Sequence, residues 1–272
     1  MKKSKLIRPP VKTHGGKHYL KQFIISIFPE NYKELTYCEP MCAGASVFLN
    51  KEPSSEEVIN DIDTGLIFIY KALRDEAKEF IDRVKKIKYT EKNFKDALER
   101  SEQPFDDYID HAINEYTLRR MSRGGMKKAF AWSDRPRGGK PGDVNAWETM
   151  IEELTVISER VKNTIILNKS VFEIFKVWDE EDTLMYLDPP YLHETRADGS
   201  ADIYKHEMTI EDHINLLNLA KTARSKVIIS GYASPLYNRN LKGWKVKKKS
   251  VANHSSQSKV KENRTEVLWY NY

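Results

Sequence analysis

Apolar residues along this chain follow two rhythms. Short runs bounded by polar or acidic residues read as buried strands. They lie at 35–38, 58–63, 164–167, 183–187 and 226–230. Residues 244–251 and 266–270, joined by a polar loop, read as an antiparallel pair closing the sheet. Longer stretches repeat at helical spacing: residues 19–28, stopped by Pro29, and Ile210, His213, Ile214 and Leu217. Ser46 reads as the start of a helix through Val47, Phe48 and Leu49. Between Thr64 and Val161 the strands give way to long, charged, helix-like segments. Strand–helix–strand alternation on both sides of such a block predicts an α/β sheet interrupted by an inserted domain. The boundaries expected are 1–65 and 162–272 for the sheet domain and 66–161 for the helical insert.

Composition narrows the class. The 272 residues are 40% hydrophobic and 31% charged, the balance of a soluble globular chain. No apolar stretch approaches the roughly 20 residues of a membrane span, and no signal peptide is read at the basic start. Cys38 and Cys42 are too few for a disulfide framework, so a cytoplasmic protein is expected. The net charge of +5 is unevenly spread. Residues 119–140 hold eight basic side chains against Asp134, and residues 242–264 hold eight against Glu262. The rest carries 29 basic and 38 acidic residues, so an acidic body bears two basic clusters. That distribution suits a polyanion, with nucleic acid first.

The chemistry gathers where strands end, as ligands do in open α/β sheets. The strand at 183–187 runs into Asp188-Pro189-Pro190-Tyr191. Prolines donate no ladder hydrogen bond, so the sheet ends there. What remains is a carboxylate, a carbonyl and a flat aromatic face, a set suited to a planar amino group. The alternative is an ordinary Pro-Pro turn. The loop after the 35–38 strand, residues 41–45, uses small or flexible residues that let backbone approach a ligand. A Gly-x-Gly-x-x-Gly dinucleotide motif and a Walker lysine loop are both missing from the sequence. Cys38 reads as core and Cys42 as a small loop residue. His206, His213 and His254 have no metal-ligand spacing, and no metal is expected.

Gly15-Gly16-Lys17, the run from Glu39 to Ser46, Asn60-Asp61, Asp188-Pro189-Pro190-Tyr191 and Arg264-Thr265-Glu266-Val267-Leu268 appear in that order. In this the chain resembles the Dam-like (D12 class, alpha-group) DNA adenine-N6 methyltransferases. It departs from them in three places. Ala43 and Ala45 replace two family glycines; Thr13 and His14 stand where a tryptophan often precedes Gly-Gly-Lys; residues 119–139 lack the pattern of the GATC-specific members.

The resemblance implies a Rossmann-like S-adenosylmethionine-dependent methyltransferase sheet with an inserted helical target-recognition domain. It implies S-adenosylmethionine as cofactor, held by Gly16, Lys17, Glu39, Pro40, Cys42, Ala43, Gly44, Ser46, Asp61, Ile62, Ser170 and Asp188. Among these, Lys17 suits the cofactor carboxylate, Asp61 the ribose hydroxyls, and a helix opening at Ser46 would favour an anion. Asp188, Pro189, Pro190 and Tyr191 are the expected catalytic set, acting on an adenine flipped out of the duplex. Double-stranded DNA is the expected partner, met by Arg119, Arg120, Arg123, Lys127, Lys128, Arg137, Asn253, His254 and Arg264. A monomer or weak dimer is expected. The alternatives are methyl transfer to an RNA adenine, a cytosine N4 or a protein glutamine, and, in another class, a catalytically silent DNA-binding protein.

Overall fold

The structure is a computed structural model that describes residues 6–13, 15–196, 206–252 and 263–272. His14, Asn253 and His254, named above, lie outside the described residues. In chain order, the first elements are α1 (Lys21–Ile25), β1 (Thr36–Glu39), β2 (Glu56–Asn60), α2 (Thr64–Asp75), α3 (Ala77–Lys85) and α4 (Glu91–Arg100). Next come α5 (Tyr108–Met121), β3 (Pro136–Arg137), β4 (Lys140–Pro141), α6 (Gly142–Val161), β5 (Ile165–Leu167) and α7 (Val171–Trp178). The chain closes with β6 (Thr183–Leu187), α8 (Ile210–Thr222), β7 (Lys226–Tyr232), α9 (Pro235–Asn240), β8 (Lys245–Ala252) and β9 (Asn263–Tyr270). These fall into two units. One comprises residues 1–28, 42–52 and 63–168; the other comprises 29–41, 53–62 and 169–272.

The second unit is the sheet. Its strands lie in the order β2-β1-β6-β7-β9-β8. β2, β1, β6 and β7 pair in parallel, and β9 then runs antiparallel between β7 and β8. Every residue of β6 is buried, as are Tyr37, Cys38, Val58, Ile59 and Val227 to Ile229. That is the signature of a parallel sheet covered on both faces. The expected α/β class is therefore what the chain adopts. After β1 the chain adds β2 on one side and then β6 on the other, so the order reverses between β1 and β6. Such a reversal opens a crevice at the carboxyl ends of the two strands, where ligands bind in open sheets. β8 is the outer strand, and residues 245–250 are all exposed. Its lysines also blunt an edge that could otherwise template strand pairing.

The first unit is helical. Helix α5 is its centre: every residue from Ala112 to Met121 is buried, charged ones included. α2, α3, α4 and α6 all pack on it. The block expected to lack strands contains one small hairpin, β3–β4, turned by Gly138 and Gly139. Both glycines have positive φ, 59° and 77°, which a two-residue hairpin turn of this hand requires.

Three local expectations change. β2 ends at Asn60, not Asp63, because Asp63 instead caps α2, accepting from Leu66 N at 3.3 Å. The amphipathic stretch 19–28 yields a helix only over Lys21–Ile25. Ser46 opens no helix: a single 3₁₀ turn, Phe48–Asn50, follows, too short to build a helix dipole.

Candidate active site

Strand β6 delivers Asp188 to its carboxyl end, beside the carboxyl end of β1 with Glu39 and Pro40. Ser230, buried on β7, donates to Asp188 Oδ1 at 2.6 Å and lies 3.1 Å from the Tyr186 hydroxyl. The carboxylate is thus oriented by a hydroxyl whose own place is set within the sheet. Tyr191 follows the two prolines, and its hydroxyl donates to Glu266 Oε2 on β9 at 2.7 Å. Its ring meets Tyr232 edge-on, 4.6 Å between centroids. Glu39 is 2% exposed and accepts from Tyr37 OH at 2.8 Å. Burial, reinforced by Asp188, pushes the phenols of Tyr186 and Tyr191 well above their ordinary range, so both remain protonated donors.

Next to them, Asn60 ties three strand and helix ends together. Its Nδ2 donates to the carbonyls of Pro40 at 2.8 Å and Lys169 at 2.9 Å, and its Oδ1 accepts from Lys169 N at 2.9 Å. This fixes the peptide entering Ser170, whose side chain caps α7 in a capping box with Glu173. Asp61 and the half-exposed Ile62 follow directly, leaving β2 at the same carboxyl edge. Glu39, Pro40, Asp61, Ile62, Ser170 and Asp188 to Tyr191 therefore all belong to one edge of the sheet unit.

The remaining expected cofactor residues belong to the helical unit. Ala43 and Ala45 take the left-handed region, with φ of 43° and 47°. At both positions the sequence has alanine in place of a family glycine, so the loop keeps a glycine-like path at a cost of roughly 1–2 kcal/mol each. Gly44 and Gly16 pack on the same side chain: a Cβ at either would come within 3.0 Å of Thr13 Oγ1. Lys17 is buried and donates to the Gly15 carbonyl at 3.0 Å. Ser46 is buried, and its Oγ has no hydrogen-bond partner among the described residues. Cys42 is buried beside it in sequence.

A profile of the D12 class N6 adenine-specific DNA methyltransferases matches residues 14–264. The chain belongs to that family. The Type II methyltransferase M.CviBI of Paramecium bursaria Chlorella virus NC1A is 28% identical over 98% of this chain and 100% of its own length. The Type II methyltransferase M1.LlaDCHI of Lactococcus lactis subsp. cremoris is 26% identical, covering 100% and 98%. The DNA adenine methylase of Escherichia coli (strain K12) is 24% identical over 93% of this chain and 92% of its own. This protein is accordingly an adenine-specific DNA methyltransferase, an enzyme that needs a methyl donor and acts on DNA.

The basic residues of the methyltransferase divide on folding into buried and exposed ones. Arg119 and Arg120 were expected at DNA, but both are buried on α5, at 7% and 8% exposure. Arg119 Nη2 donates to Asp63 Oδ2 at 2.6 Å and its Nε to Glu115 Oε2 at 3.0 Å. Burial works against this guanidinium's charge, yet the two carboxylates raise its pKa overall. Arg120 Nη2 donates to the Ala146 carbonyl at 2.8 Å, and burial lowers its pKa. A helix segment buried on every side offers neither arginine to a duplex, and the expectation of DNA contact is corrected for these two. Lys127, at φ 59°, is half-buried and pairs with Glu115 at 2.8 Å. Arg123, Lys128 and Arg137 are exposed, the last on the β3–β4 hairpin. In the second cluster the lysines of β8 are exposed, while the Arg264 guanidinium lies over the Tyr232 ring at 5.3 Å.

Ser230, Tyr186, Tyr232, Glu266 and Tyr37 were not singled out as site residues from sequence. Glu266 stood inside a quoted motif, yet its partner Tyr191 is 75 residues away, and nothing local announces the pairing. Among the described residues no helix is long and apolar enough to cross a membrane.

Proposed function

We propose that this enzyme transfers a methyl group from S-adenosylmethionine to N6 of an adenine turned out of duplex DNA, with Asp188 to Tyr191 as the catalytic set. The observation that carries the reading is the Asp188 carboxylate, held by Ser230 at the strand end where the sheet order reverses.

The chain's residues fit the cofactor. The buried Ser46 Oγ, with no partner among the described residues, and the small-residue path of 42–45 suit a ligand pressed against backbone. Lys17 would meet the cofactor's carboxylate and Asp61 its ribose hydroxyls, with Ile62 presenting an apolar surface next to them. Gly16, Glu39, Pro40, Cys42, Ala43, Gly44, Ser46 and Ser170 complete the set. When bound, S-adenosylmethionine supplies a methyl group made electrophilic by a sulfonium.

Asp188 and the Pro189 carbonyl accept the two N6 hydrogens. Those bonds draw the nitrogen lone pair out of conjugation with the ring. Tyr191 stacks on the base, an interaction worth roughly 1–3 kcal/mol at comparable sites. With the methyl donor bound, its sulfonium would supply the methyl to N6 directly and keep the S–CH₃ bonding pair, and Asp188 would accept the proton that the methylated nitrogen releases, with no covalent enzyme intermediate. Rate acceleration comes chiefly from holding nucleophile and methyl in line. DNA is gripped by the exposed Arg123, Lys128 and Arg137 and by the lysines of β8, which makes affinity fall steeply with salt.

Incubation with methyl-labelled S-adenosylmethionine and duplex DNA, followed by nucleoside analysis, tests this reading. Label in N6-methyladenine is expected, and sequencing the methylated sites gives the recognition sequence. Label confined to cytosine, RNA or protein overturns it.

A further inference from the structure

Tyr191 is fixed at three points that the transfer step itself does not use. Its hydroxyl donates to Glu266 Oε2 at 2.7 Å. Its ring stands at 72° to that of Tyr232. Its carbonyl accepts from Arg196 Nε at 2.7 Å, and Arg196 in turn forms a paired contact with Glu207 at 2.8 and 2.6 Å.

Glu266 is the centre of this arrangement. On β9 it lies opposite Tyr232 on β7 and Lys249 on β8, so the three form one row across a face of the sheet. Arg264, two residues earlier on the same strand, shares that face and covers the Tyr232 ring. Glu266 itself is 2% exposed. A carboxylate buried to that degree is costly unless it is bonded, and an apolar residue of similar size would serve a packing role at lower cost. Its contact with the Tyr191 hydroxyl gives the carboxylate a purpose at the site.

We infer that Glu266 is a positioning residue for methyl transfer: through the Tyr191 hydroxyl it fixes the plane of the aromatic ring before the base arrives. The inference rests on the reading that Tyr191 stacks on the target adenine. A ring already held needs no ordering when the base docks, so the stacking interaction is realised in full. The role assigned to Glu266 is exerted through Tyr191, not on the base or the cofactor.

The test compares Y191F, E266A, E266Q and their double variants on a duplex carrying the mapped methylation site. The readouts are kcat, KM and the fluorescence of 2-aminopurine at the target position; thermal melting shows that each variant is folded. E266A and Y191F should each lower kcat about tenfold, the range of one charge-assisted hydrogen bond, with little change in KM. E266Q retains an acceptor and should recover most of the rate. The double variant Y191F/E266A should be no worse than Y191F alone, and both should show the same altered 2-aminopurine signal. Losses that multiply to about a hundredfold would mean that Glu266 acts by another route, and the inference fails. If E266A does not fold, E266L, which removes the acceptor and keeps the volume, decides instead: Y191F/E266L no worse than Y191F supports the inference, and a multiplied loss overturns it. Y191A separates the two layers. If it leaves turnover and the 2-aminopurine signal unchanged, the stacking reading itself is wrong.

Discussion

At the carboxyl edge of the sheet, Asp188, Tyr191 and Glu39 are each held by a side-chain hydrogen bond involving a hydroxyl. The donors are Ser230 Oγ at 2.6 Å, Tyr191's own hydroxyl to Glu266 at 2.7 Å and Tyr37 OH at 2.8 Å. In the helical unit the fold itself depends on such features, on a buried ion pair of α5 and on loop paths set by the backbone. Ala43, Ala45 and Lys127 sit in the left-handed region, and a Cβ on Gly125 would fall 2.0 Å from the Lys12 carbonyl oxygen. Side-chain organisation leaves the fold tolerant and the chemistry sensitive, since removing a hydroxyl in the sheet disturbs an orientation and little else. Backbone organisation does the reverse, because the strained or close-packed path is part of the fold itself. Substitutions in the first region should therefore act on rate, and those in the second on stability.

The largest effect is expected from Asp188→Ala. Turnover should fall by about 10³-fold, within the range of a positioned proton-accepting group. Binding of labelled S-adenosylmethionine should persist in part. Full retained activity would remove Asp188 from the reaction. The helical unit supplies the matching stability test. Arg119→Met leaves Asp63 without its buried partner and should lower the unfolding free energy by about 3–5 kcal/mol. Arg137→Met, on the exposed hairpin, should change stability by less than about 0.5 kcal/mol. It should instead lower the slope of log affinity against log salt by about 0.9. Equal stability losses for the two arginines would erase the distinction between the buried helix α5 and the exposed hairpin.

His213, on α8 of the sheet unit, adds a pH dependence. It is 1% exposed, with Nδ1 2.8 Å from the Tyr237 hydroxyl. Burial lowers its pKa to about 4, against the weaker pull of Asp212. The unfolded chain, with a histidine near the ordinary 6.5, binds this proton more readily than the native one. The resulting stability is complete above about pH 6.5 and is lost as pH falls towards 4, on the order of 3 kcal/mol in all. Chemical denaturation across that range should show a flatter pH dependence for His213→Gln; an unchanged slope would assign the acid lability elsewhere.

Smaller effects follow on strand β7 and in the loop that holds Ala43 and Ala45. Ser230→Ala should cost about tenfold in kcat, roughly 1.4 kcal/mol of transition-state stabilisation, with melting temperature nearly unchanged. A collapse in stability without a rate effect would reverse the contrast drawn above. Ala43→Gly and Ala45→Gly should each stabilise the fold by about 1 kcal/mol, since glycine relieves the left-handed strain while adding entropy to the unfolded chain. A loss of stability at either position would show that the Cβ contacts outweigh the strain.

Much of this molecule was legible in the residues alone. Apolar runs at 183–187 and 226–230 announced strands because a fully buried strand needs no partner to be recognised. Asp188 to Tyr191 announced a polar terminus because two prolines stop a ladder wherever they stand. Charge was a poorer guide. Arg119 and Arg120 read as surface cations in a basic cluster, yet α5 is buried all round and takes them inside to Asp63, Glu115 and the Ala146 carbonyl. A side chain's formal charge is written in the sequence, but its partner is chosen by which helices pack against it. The same holds at the site. The sequence by itself determined which groups stand at the ends of the strands. Only strand order and register decided that Ser230 meets Asp188 from 42 residues away and Glu266 meets Tyr191 from 75, because such pairings exist only once the sheet has brought its strands together.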